Sequence, residues 1–125
     1  SRSAVISCTA NEYHQIGGKM VADLFETMGW DAYFLGANTP PDQMISFIDE
    51  IKPDIVGLLL SIYFNMPALK STIEAINTHF PDQDIIIGGQ AFRWGEMPEM
   101  NRYKNLNFIG SLDELEAQFG ESNNE

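Results

Sequence analysis

The feature that most constrains the fold is the alternation of short apolar runs with segments of helical periodicity. Runs typical of β-strands occupy 4–8, 31–35, 55–60, 84–89 and 107–110. Between them, apolar residues recur three and four positions apart, which predicts amphipathic helices. Such alternation favours a parallel sheet with right-handed crossovers and helices on both faces. We therefore predict an α/β fold: a doubly wound, five-stranded parallel sheet with flanking helices.

Punctuating residues indicate where the helices begin and end. Gly29 is expected to close the first helix as a C-terminal cap. Thr39 is the expected N-cap of the second helix, with Pro40 in its first turn. The third helix should open near Pro67, and Ser111 should cap a short last helix.

Composition limits the class of protein. A length of 125 residues suits one domain, and 18 acidic against seven basic residues give a net charge of −11. This charge disfavours direct contact with nucleic acid or an anionic membrane surface, because both would repel the chain. No apolar stretch has the length of a membrane span. Cys8 is the single cysteine, so no internal disulfide can form, and we expect a reducing, cytoplasmic location.

The ends of the chain suggest its domain limits. The sequence lacks an initiator Met, so we expect a domain of a longer protein. We assign residues 1–3 to an expression remnant, 4–120 to the folded domain, and 121–125 to a disordered acidic tail.

Ligands of doubly wound sheets bind beyond the carboxyl ends of the strands, where strand order reverses. A phosphoacceptor signalling domain would need acidic residues after the first and third strands to hold magnesium. Those places carry Cys8, Thr9 and Ser61, which excludes that class. A flavin-phosphate site favours a tight, hydroxyl-rich loop after the first strand, but this loop carries the bulky Tyr13 and His14.

His14 is a candidate metal ligand in that first loop. Glu12 precedes it by two positions, so the two side chains share one side of an extended segment. The carboxylate could accept the second ring N–H and raise the basicity of the imidazole. If His14 is the single protein ligand of a metal, most of the coordination must come from another molecule, and a macrocycle supplies it. A zinc site of Cys8, Glu12 and His14 is the alternative, one ligand short of a closed tetrahedron; His79 lacks such a context and is expected to be an exposed helix residue.

The segment "EYHQIG" resembles the Asp-x-His-x-x-Gly signature of cobalamin-binding domains. Glu12 stands in the Asp place, His14 in that of the ligand and Gly17 in that of the glycine. Glu lengthens the carboxylate arm by one methylene relative to Asp. The resemblance covers roughly residues 4 to 115.

Two further motifs of that family follow in order. Ser61 and Tyr63 of "SIY" occupy the place of the Ser-x-Leu or Ser-x-Thr motif after the third strand. Gly88 and Gly89 match the glycine pair after the fourth strand. Tyr63 is bulkier than Leu or Thr and could narrow the pocket for the cofactor's tail. Phe92, which follows the glycine pair, is a further candidate contact for that tail.

The resemblance implies a flavodoxin-like sheet of order 2-1-3-4-5 and base-off, His-on cobalamin. In that mode the dimethylbenzimidazole leaves cobalt and enters the domain, and His14 replaces it below the corrin. Ser61 would bond the buried base, and Gly17, Gly88 and Gly89 would leave room for the tail.

The resemblance also bears on the role of the chain. A Glu-x-His version resembles the sensory branch, which includes light-responsive regulators and so implies signalling and transcription regulation by a binding module that is not itself an enzyme. The alternatives are a corrinoid-carrying domain of a methyltransferase or mutase, a haem sensor on the same fold with His14 on iron, and a module that has lost its cofactor. The expected partners are other domains of the full-length protein, among them a helical cap above the corrin.

Overall fold

The computed structural model describes residues 2–8, 16–37, 39–60, 65–88 and 102–120. Within these ranges five strands form one parallel sheet of order β2-β1-β3-β4-β5. The strands are β1 (Ser3–Cys8), β2 (Asp31–Ala37), β3 (Ile55–Leu59), β4 (Asp84–Gly88) and β5 (Leu106–Ile109). The helices are α1 (Ile16–Thr27), α2 (Pro41–Ile51), α3 (Met66–His79) and α4 (Leu112–Phe119). The predicted fold class and strand order are confirmed.

The sheet has a buried core on each face. On the face covered by α2 and α3, Val5 and Val56 pack against Met44, Leu69 and Ile73. We call this the α2/α3 face. The opposite face, which we call the α1/α4 face, has a separate cluster whose members include Ala4, Ile6, Phe25, Ile86 and Leu115. The strands are thus buried on both sides, which is why they read as continuous apolar runs.

Strand β2 extends two residues beyond its predicted end. The pairing with β1 shifts between Ile6 and Ser7, where a bulge occurs. Gly36 has a φ of +87°, a conformation that only glycine adopts at little cost. Gly36 therefore lets β2 continue to Ala37, beyond the predicted end of the strand at residue 35.

The helix caps only partly follow the sequence. Ser111 accepts a hydrogen bond from the backbone N–H of Glu114 at 3.0 Å, as expected of the N-cap of α4. The prediction for α2 is wrong: Pro40 is its N-cap and provides no side-chain bond. The hydroxyl of Thr39 instead accepts a hydrogen bond from Ser7.

Aromatic residues close the amino edge of the sheet, the end at which the strands begin. The rings of Phe25 and Trp30 lie 5.0 Å apart, and Phe119 packs on both at 5.7 and 5.8 Å. The guanidinium of Arg2 lies 4.4 Å from the centre of the Trp30 ring, a cation–π distance. Arg2, which precedes β1, and Phe119, the last residue of α4, therefore both contact Trp30 at this edge.

None of the helices in the described ranges has the length and apolar character needed to cross a membrane.

Candidate functional site

Three neighbouring strands end in one row at the carboxyl edge of the sheet. Cys8 of β1 pairs with Leu59 of β3, and Leu59 pairs with Gly88 of β4. Adjacent strands lie about 4.8 Å apart, so the row from Cys8 to Gly88 spans about 10 Å. We call this the motif row, because the chain leaves it toward the segments that carry the three motifs.

Most of the predicted site residues follow this row but lie outside the described residues. The structure assigns the row to the point of strand reversal, since β1 and β3 are neighbours while the chain crosses from β1 to β2. Ligand sites of open α/β sheets occur at such a point. The predicted residues outside the described ranges are Glu12, His14, Ser61, Tyr63, Gly89 and Phe92.

Two predicted glycines fall within the described ranges. Gly17 is the second residue of α1, at the end of the helix that faces the motif row. Gly88 is the last residue of β4 and is buried. Ile86 belongs to the core of the α1/α4 face, and side chains alternate along a strand, so a side chain at 88 would point to the same face.

At Gly88 the strand presents backbone without a side chain. A Cβ at this position would lie 3.1 Å from the carbonyl oxygen of Ile109 and 3.7 Å from Cδ2 of Leu59. The first distance is shorter than ordinary carbon–oxygen contact, so even alanine would press against the neighbouring strand. A larger, branched side chain would also cover the α1/α4 side of the motif row.

Gly18 is a close-packed residue that we did not single out from the sequence. It is buried, and a Cβ there would overlap the ring of Phe34 and lie 3.0 Å from Sγ of Cys8. The first turn of α1 thus sits directly on β1 and β2. The pair "GG" at 17–18 was the available signal, because glycine is unfavourable inside a helix unless close packing requires it.

Ser7 is the second residue that sequence reasoning missed. It is 2% exposed, and no other polar residue is buried in the part of the chain that the structure describes. Its hydroxyl lies 3.3 Å from both the carbonyl oxygen of Gly36 and Oγ1 of Thr39, and 3.4 Å from the carbonyl oxygen of Cys8. The single proton of this hydroxyl can be donated to Gly36 or to Thr39, and either bond ties the connection between β2 and α2 to β1. Within an apolar run, no local signal distinguishes this serine.

Among the residues that the structure describes, the groups with shifted pKa values form one cluster remote from the motif row. The Tyr103 hydroxyl donates to Glu74 at 2.8 Å and, with the Arg102 guanidinium, lowers the pKa of that carboxyl despite its partial desolvation. The hydrogen bond with Tyr103 and the charge of Glu74 raise the pKa of Arg102, and burial raises the pKa of Tyr103. Residues 102 and 103 precede β5, so this cluster ties the start of β5 to α3.

The described residues include no group of three or more His, Cys, Asp or Glu side chains placed to hold a metal. His79 is exposed at the end of α3, as predicted, and its Nδ1 lies 2.9 Å from the carbonyl oxygen of Ala75. With the tautomer that places hydrogen on Nδ1, this is a local hydrogen bond. The zinc alternative depends on residues outside the described ranges.

The sequence matches a known family over most of its length. Residues 2–102 match the family described as B12 binding domain. The chain therefore belongs to the B12-binding domain family, and its cofactor is cobalamin. It is a cofactor-binding module, and the family match favours cobalamin over the haem that we considered from the sequence.

Solved structures share the fold. Over 87% of this chain, the methanol:cobalamin methyltransferase complex MtaBC from Methanosarcina barkeri superposes with a TM-score of 0.75 at 16% identity. The monomethylamine corrinoid protein of the same organism covers 96% with a TM-score of 0.74 at 17% identity. A cobalamin-binding protein from Desulfitobacterium hafniense DCB-2 covers 86% with a TM-score of 0.68 at 23% identity. The chain spans 41%, 57% and 52% of those three proteins, or roughly half their length.

Proposed function

We propose that this chain is the cobalamin-binding module of a cytoplasmic sensory or regulatory protein, and that it holds its cofactor base-off and His-on. The motif row carries this proposal. Because Cys8, Leu59 and Gly88 are adjacent in register, the segments with the His, Ser and Gly-Gly motifs start within about 10 Å of one another.

His14 is the lower axial ligand in this proposal. It stands between β1 and α1, six residues after Cys8 and two before Ile16. Glu12 accepts the second ring N–H of His14, which fixes the tautomer and makes the coordinating nitrogen more basic.

The tail of the cofactor lies on the α1/α4 side of the motif row. The structure supports this side, because Gly88 points there with no Cβ and the first turn of α1 borders it. Gly17 and Gly89 would leave further room for the tail, and Ser61 would hydrogen-bond the buried base. Tyr63 and Phe92 would contact the tail.

When bound, cobalamin supplies a cobalt centre whose upper ligand can be exchanged or transferred, and the protein orients it and tunes its lower ligand. In the sensory role, other domains of the full-length protein, among them a helical cap, cover the upper face and respond to its state. The Glu-x-His form of the motif supports this role.

A corrinoid-carrying domain of a methyltransferase is the second candidate function. The similarity to MtaBC and to the monomethylamine corrinoid protein favours it. The two candidates share the cofactor site and differ in what the upper ligand is used for.

The direct test is titration of the chain with hydroxocobalamin, followed by absorbance. We expect one equivalent to bind with a shift of the corrinoid spectrum. His14→Ala should abolish that shift and weaken binding at least tenfold, or by about 1.4 kcal/mol. His79→Ala is the matched control, since His79 is exposed on α3, and it should behave as wild type.

Two outcomes would contradict the proposal. Wild-type binding and spectrum in His14→Ala would exclude the axial-ligand assignment. Stoichiometric binding of haem in preference to hydroxocobalamin would exclude cobalamin as the ligand of the site. Methyl transfer from methylcobalamin on the chain to a thiol acceptor, in the presence of the native partner domains, would favour the second candidate over the sensory role.

A further inference from the structure

A cavity of about 300 Å³ lies at the carboxyl edge on the α2/α3 face. It is bounded by the end of β1, by β3, and by the first turns of α2 and α3. Its volume is at the lower end of the range of small-molecule pockets, roughly 300–1,000 Å³. It therefore has room for a compact organic molecule.

The cavity lies on the opposite face from the bare backbone at Gly88. Val5 belongs to the core of the α2/α3 face, and Ser7 two positions on points the same way. Ser7 lines the cavity together with Leu58, and Leu58 belongs to the core of the α2/α3 face. The sheet thus separates this cavity from the space assigned above to the tail of cobalamin.

Residues with hydroxyl groups line the cavity from three parts of the chain. They are Ser7 of β1, Thr39 before α2, and Ser71 and Thr72 of α3. A hydroxyl can both donate and accept, so the cavity can pair with an alcohol, a carbonyl or an amide. The three acceptors around the Ser7 hydroxyl all lie at 3.3–3.4 Å, longer than the usual 2.7–2.8 Å or so of an O–H···O bond. A better-placed partner would therefore compete with them.

The rest of the lining is apolar and uncharged. Met44, Leu58 and Leu69 are each 1% exposed and form the inner wall, and Ala68 narrows the cavity only slightly because its side chain is a single methyl. Among the residues that the structure describes, none of those that line the cavity carries a charge. An ionised ligand would lose its hydration without gaining an ion pair, which is costly.

From this lining we propose a second small-molecule site, separate from the cobalamin site, that takes an uncharged, compact and mainly apolar molecule with one or two hydrogen-bonding groups. The sheet's point of strand reversal places it where ligands of α/β folds bind. The site does not depend on the axial ligand or on the tail pocket.

Cyclohexanol is a suitable probe because it combines an apolar ring with one hydroxyl. We expect saturable binding with a dissociation constant on the order of 1 mM. The measurement is the shift of the Met44, Leu58 and Leu69 methyl signals in NMR spectra as cyclohexanol is added. Cyclohexanecarboxylate and cyclohexylammonium have the same ring but a charge, and both should bind at least tenfold more weakly.

Variants separate the cavity from the rest of the surface. Ala68→Leu adds an isobutyl group at the exposed rim of the cavity and should weaken binding of cyclohexanol at least tenfold. Thr72→Val keeps the shape but removes one hydroxyl, and should weaken binding about three- to tenfold, which is about 0.7–1.4 kcal/mol. Thr78→Val is the matched control, because Thr78 is exposed on the same helix and is not part of the lining.

Three results would overturn the proposal. They are the absence of saturable shifts up to the solubility of cyclohexanol, equal binding of the charged analogues, and equal effects of Thr72→Val and Thr78→Val. His14→Ala should bind cyclohexanol like wild type, so failure of the cobalamin proposal and failure of this one give different results.

Discussion

The two faces of the sheet leave space at the carboxyl edge in different ways. On the α1/α4 face the space follows from one missing side chain: Gly88, the last residue of β4, points there without a Cβ, whereas the place beside Gly57 is filled by Ile6. On the α2/α3 face the strands keep their side chains, and the space lies between them and the first turns of two helices. We therefore propose that the side of the sheet at Gly88 takes the tail of the cofactor, and that the cavity on the α2/α3 face takes a compact molecule.

The helices of the two faces also differ in how they are held. α2 and α3 pack against each other, and both bury apolar residues in one shared core. α1 and α4 meet near their carboxyl ends, where Phe25 contacts Phe119. Nearer the carboxyl edge a groove separates them, with Met20 48% and Leu112 41% exposed on its two sides. The α1/α4 face is therefore the one whose helices can separate without disturbing the other core.

The largest expected effect on this contrast comes from Phe25→Ala. Phe25 is fully buried and contacts both Trp30 and Phe119, so its truncation should lower the free energy of unfolding by about 3–5 kcal/mol. Hydrogen exchange of the α4 amides should accelerate more than that of α2. The control is Ile73→Ala on the α2/α3 face, which should lower the free energy of unfolding by about 2–5 kcal/mol without a selective effect on α4. Identical hydrogen-exchange profiles in the two variants would show that the helices of the two faces are held alike.

Gly88→Val sharpens the contrast at the motif row. The branched side chain would press on the carbonyl oxygen of Ile109 and cover the α1/α4 side, so we expect affinity for hydroxocobalamin to fall at least tenfold, about 1.4 kcal/mol. Ile87 points to the α2/α3 face, and Ile87→Val should change that affinity by less than about twofold while costing about 0.5–1.5 kcal/mol of stability. Equal losses of affinity in the two variants would contradict the assignment of the tail to one face.

Removal of the helix caps should give a smaller effect. Ser111→Ala and Asn65→Ala each remove a side-chain acceptor at the start of α4 or α3, and each should cost about 1 kcal/mol of unfolding free energy. Local exchange should increase more in α4, which has eight residues against 14 in α3. If α3 lost more protection from exchange than α4, the conclusion that the helices of the α1/α4 face are held less firmly would be wrong.

The smallest expected effect concerns pH. The pKa of Glu74 is lowered in the folded chain, so the contribution of this carboxyl to stability is present above its unfolded pKa and is lost as pH falls through the folded pKa. Glu74→Gln should therefore flatten the acid side of the stability profile below a pH of about 4.5. The exposed Glu50 of α2 offers a control variant, Glu50→Gln, and an equal change in both profiles would argue against a specific role for the Tyr103 and Arg102 contacts.

Local patterns predicted the strands and helices well because the sheet is buried on both faces. Five apolar runs became five strands, and Ser111 capped α4 as its position indicated. The errors have a non-local cause. Thr39 has the residue type of an N-cap, yet its hydroxyl serves Ser7, 32 positions away, and Gly36 continues β2 because of a bulge against β1.

The sequence also predicted the frame of the site better than its contacts. The strand order predicted that the chain leaves the sheet at one edge ahead of each motif, and the registers of Cys8, Leu59 and Gly88 confirm that these three strand ends lie in a row. The close approach of Gly18 to Phe34 and the burial of Ser7 depend on how α1 and the β2–α2 connection settle on the sheet. A pattern of residue types does not contain those distances.

The stacking of Arg2 on Trp30, with Phe119 on the same indole, has a practical consequence for handling the protein. Both ends of the folded part emerge at one pole, and the motif row lies at the other. A tether or fluorophore joined near either end would therefore start from the pole away from the motif row. Immobilisation through that pole should leave the carboxyl edge of the sheet accessible to solvent for binding measurements.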